Sequence, residues 1–535
     1  MQRKQRSRLR QMMRGYRNLK KSGRLGCIAT IKKELTTQKL SINKKFYSRQ
    51  LFGAGIDSAE LIVRQYLLFR IGGIDLNRAL LIAAGKSNTS VAFSMPSEWT
   101  DTIEQHGFKV NRLKSTLMWY LYVLTMFLNG VFKISQIVLT SLNFSENRQI
   151  KIKPYVYFSE LIGSNLPKGA QWQSEHNIVS WYLQWDGRKP NIKTICHSAP
   201  NTFSKSFGDI ELVAQPGPIP RLTNASQLIK YIGWALVSIS LAFIDLIRCR
   251  WWHPLLLNQS ALSAQVRFIP SGFLAKEYLF HNSNWIYRPL WTYDAEQQGA
   301  TITFYFYSTN CEPFKQALGY PDIPYGWRAM SWPRYLVWDE YQANFVRRCI
   351  DNQQEVIIVG SIWFSSNLAQ LTNIPSKAVA VFDVQPVRDS FYSSLALDFD
   401  YYTPQVANKF LMDIQGVLSD SSCVMALKRK REVGTLAHPK YRFCINALDK
   451  AENFLNIDSE IDASTLIESC NLVISIPFTS TALLGRYAGK PSIYYDPLGL
   501  LQTNDRAAHG IPIIQGKDML RAWINEALEI THADH

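Results

Sequence analysis

The last third of the chain alternates short apolar runs with stretches of helical periodicity. The apolar runs predict strands at 356–363, 378–384, 423–428, 471–476 and 491–496. The helical stretches lie near 404–418, 463–470, 480–488 and 517–528. Short apolar runs separated by helices are typical of a parallel sheet that is covered on both faces. The pattern predicts a doubly wound α/β domain, in which ligands bind at the carboxyl ends of the strands.

The pattern in the first half of the chain is less regular. Apolar runs at 79–84 and 90–95 predict strands, and 96–107 predicts a helix that ends at Gly107. Residues 151–345 are rich in aromatic residues and proline, which indicates large loops and short strands packed over an α/β domain. We therefore predict α/β organisation here too.

Two longer apolar stretches cover 117–142 and 231–247. Their uncharged cores are 16 residues or fewer before Lys133 or Asp245 intervenes, which is just under the roughly 20 residues needed to span a bilayer. We predict helices that enter one leaflet, with aromatic residues at headgroup depth: Trp119, Tyr120, Tyr122, Trp234, Trp251 and Trp252. Two buried core helices are the alternative interpretation.

The net charge of +17 is concentrated at the N-terminus. Residues 1–33 contain twelve lysines and arginines and no acid, whereas the rest of the chain is close to balanced. Such an arm is typical of a solvated, poorly ordered tail, or of a segment that binds anionic lipid with about 1 kcal/mol per basic residue. Nucleic-acid binding and a transit peptide are further alternatives. We expect an anionic membrane surface as partner and no nucleic acid.

The cysteines, histidines and acids show no convincing metal-binding pattern. The eight cysteines form no C-x-x-C pair, which argues against a zinc ribbon or a secreted disulfide framework and favours a reducing compartment. Asp398 and Asp400 form a D-x-D, but so short a pattern is expected by chance in a chain of this length. We expect no catalytic metal and no cofactor.

Three consecutive hydroxyl residues follow the strand predicted at 471–476. The turn through Pro477 and Phe478 brings Thr479, Ser480 and Thr481 to the first turn of the next predicted helix. Unpaired backbone N–H groups and the helix dipole favour an anion there, and hydroxyls can donate to phosphate oxygens. The alternative is a simple N-cap, for which one hydroxyl is enough. We favour a phosphate site.

The run IDASTLIESCNLVISIPFTSTALLGRYAGKPSIYYDP resembles the bacterial polysaccharide biosynthesis proteins named for their PFTS motif, here residues 477–480. The resemblance extends back through RPLWTYDAE, FYFYSTN, YLVWDEYQ, VAVFDVQPVRDSFY and ALKRKR, and covers about 285–500. The layout is also similar to glycosyltransferases of the two-Rossmann (GT-B) architecture and to CDP-glycerol glycerophosphotransferases. It implies assembly of a cell-surface glycan from a nucleotide-activated donor.

The resemblance also implies roles for individual residues. His438 and Pro439 match a His-Pro motif whose histidine contacts the donor phosphate in CMP-sugar and CDP-glycerol transferases, although the pair is also an ordinary loop dipeptide. A protonated imidazole can stabilise the departing nucleotide. Lys428 and Lys430 offer further phosphate donors or form a solvated basic face. Asp496 ends the strand that follows the hydroxyl helix and completes the expected donor site.

The general base of such a transferase is expected in the N-terminal domain. Asp294 and Glu296 lie in an aromatic segment, where burial can raise a carboxylate pKa. The alternative is that they are an ordinary pair of acids near the start of a helix.

These observations predict two Rossmann-like domains with a basic arm and two apolar membrane-associated helices. The predicted ranges are 1–50 for the arm, 51–345 for the acceptor-side domain and 346–535 for the nucleotide-sugar domain. The expected activity is metal-independent transfer of a sugar, from a donor that is CMP-linked, to a glycan or lipid-linked acceptor at the cytoplasmic face of the inner (cell) membrane. A CDP-glycerol-type glycerophosphotransferase and a non-catalytic lipid- or nucleic-acid-binding protein are the alternatives.

Overall fold

Two parallel sheets and a layer of N-terminal helices make up the described part of the protein. The computed structural model describes residues 2–40, 42, 47–70, 74–86, 89–142, 153–167, 177–185, 191–199, 205–215, 217–281, 287–350, 354–362, 371, 374–388, 401–429, 433–434, 436–459 and 461–533. One hydrophobic core runs through both sheets, and a second core lies within the helical layer. The fold is therefore α/β with parallel sheets, as the apolar pattern predicted.

The helical layer occupies the first 142 residues. Its helices are α1 (Gln2–Lys21), α2 (Cys27–Thr37), α3 (Ser48–Phe52), α4 (Ala59–Arg70), α5 (Ile74–Ala84), α6 (Glu98–Gln105) and α7 (Arg112–Thr140). Helices α1 and α5 cross with their backbones in contact, since a Cβ atom on Gly15 would lie 1.8 Å from the Leu81 carbonyl oxygen and one on Gly85 would lie 2.3 Å from that of Gln11. Glycine at both positions is what permits this crossing.

Three predictions for this region are corrected by the structure. The N-terminal segment is not an extended tail in its described part, because Met12, Ile28 and Ile31 are buried in the second core. The run 79–84 belongs to helix α5 and not to a strand. The run 90–95 contributes only a single bridge, between Val91 and Val110. The helix predicted over 96–107 is confirmed as α6.

The first sheet is formed by β1 (Tyr155–Phe158), β2 (Thr194–His197), β3 (Lys205–Phe207), β4 (Ile210–Ala214), β5 (Glu277–His281), β6 (Thr301–Tyr305), β7 (Arg334–Val337) and β8 (Glu355–Ile358). Within the described residues the strand order is β3-β4-β2-β1-β5-β6-β7-β8, and β3 is antiparallel to β4 while the other pairs are parallel. A strand was predicted at 356–363 as part of the C-terminal sheet. That assignment to a sheet is wrong, because β8 pairs with β7 of the first sheet.

Helices connect and cover the first sheet. They are α8 (Ile178–Gln184), α9 (Ala225–Ile247), α10 (Trp252–Leu255), α11 (Leu257–Phe268), α12 (Trp291–Gln297), α13 (Tyr325–Arg328) and α14 (Glu340–Cys349). The segment after β6 reaches the second sheet, because Thr309 contacts Ser480, so it supplies the first sheet's contribution to the site.

The two predicted apolar helices are confirmed as α7 and α9. Both are long and apolar enough to cross a membrane, and 28% and 39% of their most apolar windows are buried. Asp245 in α9 points into the protein, where it accepts hydrogen bonds from Tyr47 Oη at 2.9 and 3.1 Å and pairs with His253. Each helix therefore has one face against the protein and one apolar face exposed.

The expectation of aromatic residues at headgroup depth is wrong for the tryptophans. Trp119, Trp234, Trp251 and Trp252 are buried in the two cores. Trp119 packs edge-on against Trp251 with ring centroids 5.3 Å apart, and Trp234 Nε1 donates to the Gln50 carbonyl at 2.7 Å. These rings hold α7 and α9 to the protein.

The second sheet is formed by β9 (Ala378–Phe382), β10 (Val424–Lys428), β11 (Phe454–Ile457), β12 (Leu472–Ser475), β13 (Ser492–Asp496) and β14 (Ile513–Gln515). Within the described residues its order is β11-β10-β9-β12-β13-β14, with all pairs parallel. From β9 the chain adds β10 and β11 on one side, and it then returns to add β12, β13 and β14 on the other side. The carboxyl ends of β9 and β12 therefore lie at the switch point where such sheets bind ligands.

Four of the five described helices of this sheet were predicted. The five are α15 (Pro404–Asp420), α16 (Pro439–Leu448), α17 (Ala463–Glu468), α18 (Ser480–Tyr487) and α19 (Lys517–Ala533). Of these, α16 was not predicted. Helix α18 packs closely on the sheet at Gly485, where a Cβ atom would lie 2.3 Å from Ser492 Oγ and 2.7 Å from Val473 Cγ2. The domain boundaries at 50/51 and 345/346 stay predictions.

Candidate functional site between the two sheets

The PFTS turn of the second sheet meets the carboxyl end of β6 from the first sheet. Ser480 Oγ lies 3.2 Å from Thr309 Oγ1 and 3.5 Å from Ser308 Oγ, and it accepts from the Thr309 N–H at 3.4 Å. Ser308 and Thr309 belong to the FYFYSTN segment that follows β6. Two sequence motifs that lie 171 residues apart are thus brought into one polar junction.

The turn that presents Ser480 has an unusual backbone. Phe478 has a φ of 65°, in the left-handed region that residues with a side chain rarely adopt. Its buried ring lies 4.6 Å from that of Phe314, and Tyr402 Oη donates to the Pro477 carbonyl at 3.0 Å. A conformation of this kind costs about 1–3 kcal/mol and persists because its surroundings fix it. The turn is therefore rigidly held at the junction of the two sheets.

The other two hydroxyls of the cluster bond within the turn. Thr479 Oγ1 donates to the Ile476 carbonyl at 3.0 Å, while Thr481 Oγ1 lies 2.8 Å from Ser475 Oγ. Thr479 is the N-cap residue of α18, but its side chain makes no capping hydrogen bond. The simple capping explanation therefore does not describe Thr479. The first N–H groups of α18 remain without a side-chain cap in the described part of the chain.

His438 lies beside the loop that follows β9. Its backbone N–H donates to the Pro386 carbonyl at 2.9 Å, and a single bridge joins Ala437 to Val387. The half-buried imidazole caps helix α16, since Nδ1 accepts from the Lys440 N–H at 3.3 Å. This contact leaves Nε2 as the nitrogen that can face a ligand. The His-Pro turn is thus near the switch point, although no described hydrogen bond joins it to Ser480.

The predicted phosphate ligands at the ends of β10 and β13 have structural partners. Lys428 is buried, and its Nζ donates to the Ser459 carbonyl at 3.3 Å. Asp496 is fully buried and accepts from Tyr401 Oη and from the Leu501 N–H, both at 2.9 Å. Asp496 therefore orders the loop after β13. Lys430 lies outside the described residues, and the donor-binding roles of these residues stay predictions.

The two carboxylates predicted as general bases hold helix α12 in place. Asp294 is buried, pairs with Ser263 and accepts from the Ala54 N–H at 3.0 Å. Burial raises its pKa, while Ser263 and the nearby Arg267 oppose the rise. Glu296 is exposed and pairs with Arg288. Their described contacts are with α11, with the N-terminal helical layer and with the segment before α12 rather than with the Ser480 junction, so their catalytic role stays a prediction.

Asp383 is a residue of this region that the sequence interpretation did not assign. It directly follows β9, it is 8% exposed, and its Oδ2 accepts from Tyr441 Oη. Burial raises the pKa of Asp383 to about 6, and the Tyr441 hydrogen bond and the Arg429 charge oppose this rise only in part. The available signal was an acid placed immediately after a fully buried apolar run.

Further contacts join the two sheets beside the Ser480 junction. His509 Nδ1 lies 2.9 Å from both carboxylate oxygens of Asp339, and Arg486 donates to the His509 carbonyl at 2.8 Å. Burial alone would raise the pKa of Asp339, but the hydrogen bond and charge of His509 hold it below its ordinary value. Lys315 N–H donates to Asp505 at 2.8 Å. These contacts fix the spacing of the two sides of the site.

The described residues contain no group of three or more histidine, cysteine, aspartate or glutamate side chains arranged to hold a metal ion. Asp398 and Asp400 lie outside the described residues. The expectation of a metal-independent site stays a prediction.

The solved structures to which the chain is similar are distant in sequence. The UDP-GlcNAc 2-epimerase from Methanocaldococcus jannaschii is 8% identical, with a TM-score of 0.33 over 70% of this chain and 91% of that chain. The UDP-forming α,α-trehalose-phosphate synthase from Burkholderia xenovorans is 10% identical, with a TM-score of 0.34 over 70% and 92%. A UDP-glucosyltransferase from Polygonum tinctorium is 9% identical, with a TM-score of 0.30 over 69% and 82%.

No curated protein matches the sequence. The family model described as polysaccharide biosynthesis PFTS motif protein matches residues 236–524, more than half of the chain. The matched region includes β5 to β14, and with them both sides of the Ser480 junction. The resemblance carried by residues 477–480 is thereby confirmed, and the chain belongs to the polysaccharide biosynthesis PFTS motif family.

Proposed function

We propose that this protein is a membrane-associated glycosyltransferase of surface polysaccharide biosynthesis. It transfers a sugar from a nucleotide-activated donor, which is CMP-linked, to a glycan or lipid-linked acceptor. The observation that carries the proposal is the contact of Ser480 with Thr309, because it brings an anion-binding helix start of one sheet against a strand end of the other. Membership in a polysaccharide biosynthesis family supports the same activity.

The donor phosphates bind at the start of α18 in this proposal. The uncapped N–H groups of its first turn and the positive end of its dipole attract an anion. Ser480 Oγ donates to a phosphate oxygen once the donor has displaced its weak contacts of 3.2 to 3.5 Å with Ser308 and Thr309. The rigid turn at Phe478 keeps this geometry fixed, so little reorganisation accompanies binding.

His438 assists the departure of the nucleotide. As the glycosidic bond breaks, negative charge grows on the phosphate, and a hydrogen bond from the imidazole N–H stabilises that charge more in the transition state than in the ground state. Nδ1 accepts from the Lys440 N–H and therefore carries no proton, which places the ring proton on Nε2, where it can donate to the phosphate. The acceptor approaches from the first sheet, on the side of Ser308 and Thr309.

The exposed faces of α7 and α9 support the membrane association. Large apolar side chains lie on the solvent side of both helices: Leu113, Leu117, Leu121, Leu128, Phe132, Leu139, Ile229, Leu236, Phe243 and Ile247. The inward-facing side of each helix packs on the protein, as Asp245 does through Tyr47 and His253. Helices of this kind lie in one leaflet. The basic face of α1 adds attraction to anionic lipid, and we propose the cytoplasmic face of the inner membrane as the site of action.

Nucleotide release from a panel of donors tests the activity. The full-length protein is incubated with a CMP-linked sugar, CDP-glycerol and a UDP-linked sugar, and the His438→Ala variant is measured in parallel. We expect turnover of the CMP-linked sugar, and a reduction in kcat of about 100-fold or more in the variant with a smaller change in donor affinity. The matched control His106→Ala, whose ring contacts Glu34 in the helical layer, keeps wild-type turnover.

Each other outcome assigns a different function. Turnover of CDP-glycerol alone makes the protein a glycerophosphotransferase. Turnover of no donor at all contradicts an enzymatic role and favours a non-catalytic binding protein.

A further inference from the structure

Several buried polar atoms at the carboxyl ends of β9 and β10 have no hydrogen-bond partner among the residues that the structure describes. They are Asp383 Oδ1, Gln385 Oε1, and Nε and Nη1 of Arg429. Buried polar groups in folded proteins are nearly always paired, so each unpaired one needs a physical explanation. Two acceptors and two donors in one small region therefore call for a common explanation.

Asp383 and Arg429 are each anchored on one side and unpaired on the other. Asp383 Oδ2 accepts from Tyr441 Oη, which leaves Oδ1 unpaired. Arg429 Nη2 donates to Asn456 Oδ1 at 3.0 Å, which leaves Nε and Nη1 unpaired. Strands β9 and β10 pair Phe382 with Lys428, so Asp383 and Arg429 directly follow the ends of neighbouring strands. Anchoring of this kind keeps the unpaired atoms in place for a ligand.

The position of these atoms is next to the proposed phosphate site. Strand β9 lies between β10 and β12, where the order of the sheet reverses. The Ile476 N–H donates to the Phe382 carbonyl at 2.8 Å. The next residue, Asp383, therefore lies beside the turn that leads to Ser480. The Arg429–Asn456 contact is exposed, so this region borders solvent on the β11 side.

We propose that Asp383 and Arg429 form the subsite that binds the nucleoside half of the donor. This inference rests on the proposed function. Asp383 accepts a hydrogen bond from an amino or hydroxyl group of the nucleoside, and Arg429 donates to one of its ring or carbonyl acceptors. Gln385 Oε1 supplies a second acceptor. A phosphate group carries acceptors and negative charge, so Asp383 repels it and the nucleoside is the half of the donor that fits.

Binding of CMP and inorganic pyrophosphate to the full-length protein tests this assignment. We expect Asp383→Asn to weaken CMP binding about 10- to 100-fold, because the amide lacks the negative charge that strengthens the hydrogen bond from the nucleoside. Pyrophosphate occupies only the phosphate site, so its affinity stays within about twofold of wild type. We expect Arg429→Gln to weaken CMP binding and to leave pyrophosphate binding unchanged as well. Agreement of the two variants shows that the loss of CMP affinity is not a folding defect of Asp383→Asn.

Asp413→Asn is the matched control. Asp413 is also a buried aspartate of the second sheet's domain, and it accepts from Tyr495 Oη at 2.8 Å, but it lies on α15. We expect wild-type affinity for both probes.

The outcomes separate this inference from the proposed function. Wild-type CMP affinity in Asp383→Asn, or an equal loss of CMP and pyrophosphate binding, overturns the nucleoside subsite while the donor site itself stands. A wild-type protein that binds neither CMP nor CDP, UDP, ADP or GDP overturns the proposed function and this inference together.

Discussion

Ser480 of the PFTS turn and Thr309 of the loop after β6 contact each other across the two sheets, with their hydroxyl oxygens 3.2 Å apart. The contact joins the start of an eight-residue helix to a strand end of the opposite sheet. Its distances are long for hydroxyl hydrogen bonds, so a phosphate oxygen can replace them at little cost. The contact places Ser480, alone among the three hydroxyl residues of the turn, at the described junction of the two sheets.

Close packing of α18 on the sheet depends on Gly485. A Cβ atom there would lie 2.3 Å from Ser492 Oγ and 2.7 Å from Val473 Cγ2. We expect Gly485→Ala to lower the free energy of unfolding by about 1–3 kcal/mol, because the helix must move away from β12. Urea unfolding measures the change.

Gly233→Ala is the control for that substitution. Gly233 lies in helix α9 with nothing within 4 Å of the added Cβ. Alanine there is expected to be neutral or to stabilise by up to about 1 kcal/mol. Equal stability of wild type and Gly485→Ala would contradict the close packing.

Asp383 makes the stability of the ligand-free protein depend on pH. Burial raises its pKa to about 6 from an ordinary 3.8, so the folded state binds this proton more tightly than the unfolded state. Its favourable contribution is complete below about pH 4 and is lost as the pH rises through about 6. Asp383→Asn removes this dependence.

Urea unfolding at about pH 5 and about pH 8 measures the effect of Asp383→Asn. We expect the variant to gain stability relative to wild type on going to the higher pH, by at most about 3 kcal/mol. Asp413→Asn is the control for loss of a buried aspartate. A stability difference between Asp383→Asn and wild type that is the same at both pH values would contradict the raised pKa.

Membrane binding is expected to depend on the exposed faces of α7 and α9. Leu128 and Leu236 are 56% and 65% exposed, and burying one such leucine in a leaflet contributes about 1.5–3 kcal/mol. We expect Leu128→Glu and Leu236→Glu each to weaken binding to vesicles containing anionic lipid by about 10-fold or more. Co-sedimentation measures this.

Leu318→Glu is the control, because Leu318 is fully exposed in the loop between β6 and α13. It introduces the same charge away from the apolar faces and is expected to leave vesicle binding unchanged. If all three variants bind vesicles equally, the two faces do not contact lipid.

The second sheet could be predicted closely from its sequence. Strands β9, β10, β12 and β13 are all interior strands of the described sheet, so their apolar runs are almost continuous. The edge strands β11 and β14 were not predicted, because edge strands need less burial and residues such as Asn456 interrupt their apolar pattern. The strand β8 was recognised but assigned to the wrong sheet, since pairing with β7 is a tertiary contact.

The helical layer was harder to predict for a physical reason. The run 79–84 is six apolar or small residues, which suit a buried strand and a buried helix equally. Helix α5 is stabilised by its close crossing with α1 at Gly15 and Gly85. Helix α1 lies in the basic segment, whose charge alone suggested a solvated tail. Charge indicated the exposed face of α1, but not the buried one formed by Met12 and Leu19.

The candidate site was predictable only in part. The position of Ser480 at a helix start followed from the local pattern, because turn and helix signals are short-range. Its partners Ser308 and Thr309 lie more than 170 residues away and follow from the packing of two sheets. Asp383 carried a local signal as an acid after a buried strand, whereas its unpaired oxygen is visible only in three dimensions.

Titration of cytidine nucleotides against Ser480→Ala tests the central claim most directly. CMP and CDP, with UDP and ADP as controls, are titrated into wild type, Ser480→Ala and the exposed-helix control Ser469→Ala, whose Oγ donates to the Thr465 carbonyl. The melting temperature of each protein is followed in parallel. We expect wild type to bind CMP and CDP better than UDP and ADP, and Ser480→Ala to lose about 10- to 150-fold in CMP affinity with little change in melting temperature. Equal binding of all four nucleotides, together with a Ser480→Ala variant that changes only in melting temperature, would contradict a donor phosphate site at the PFTS turn.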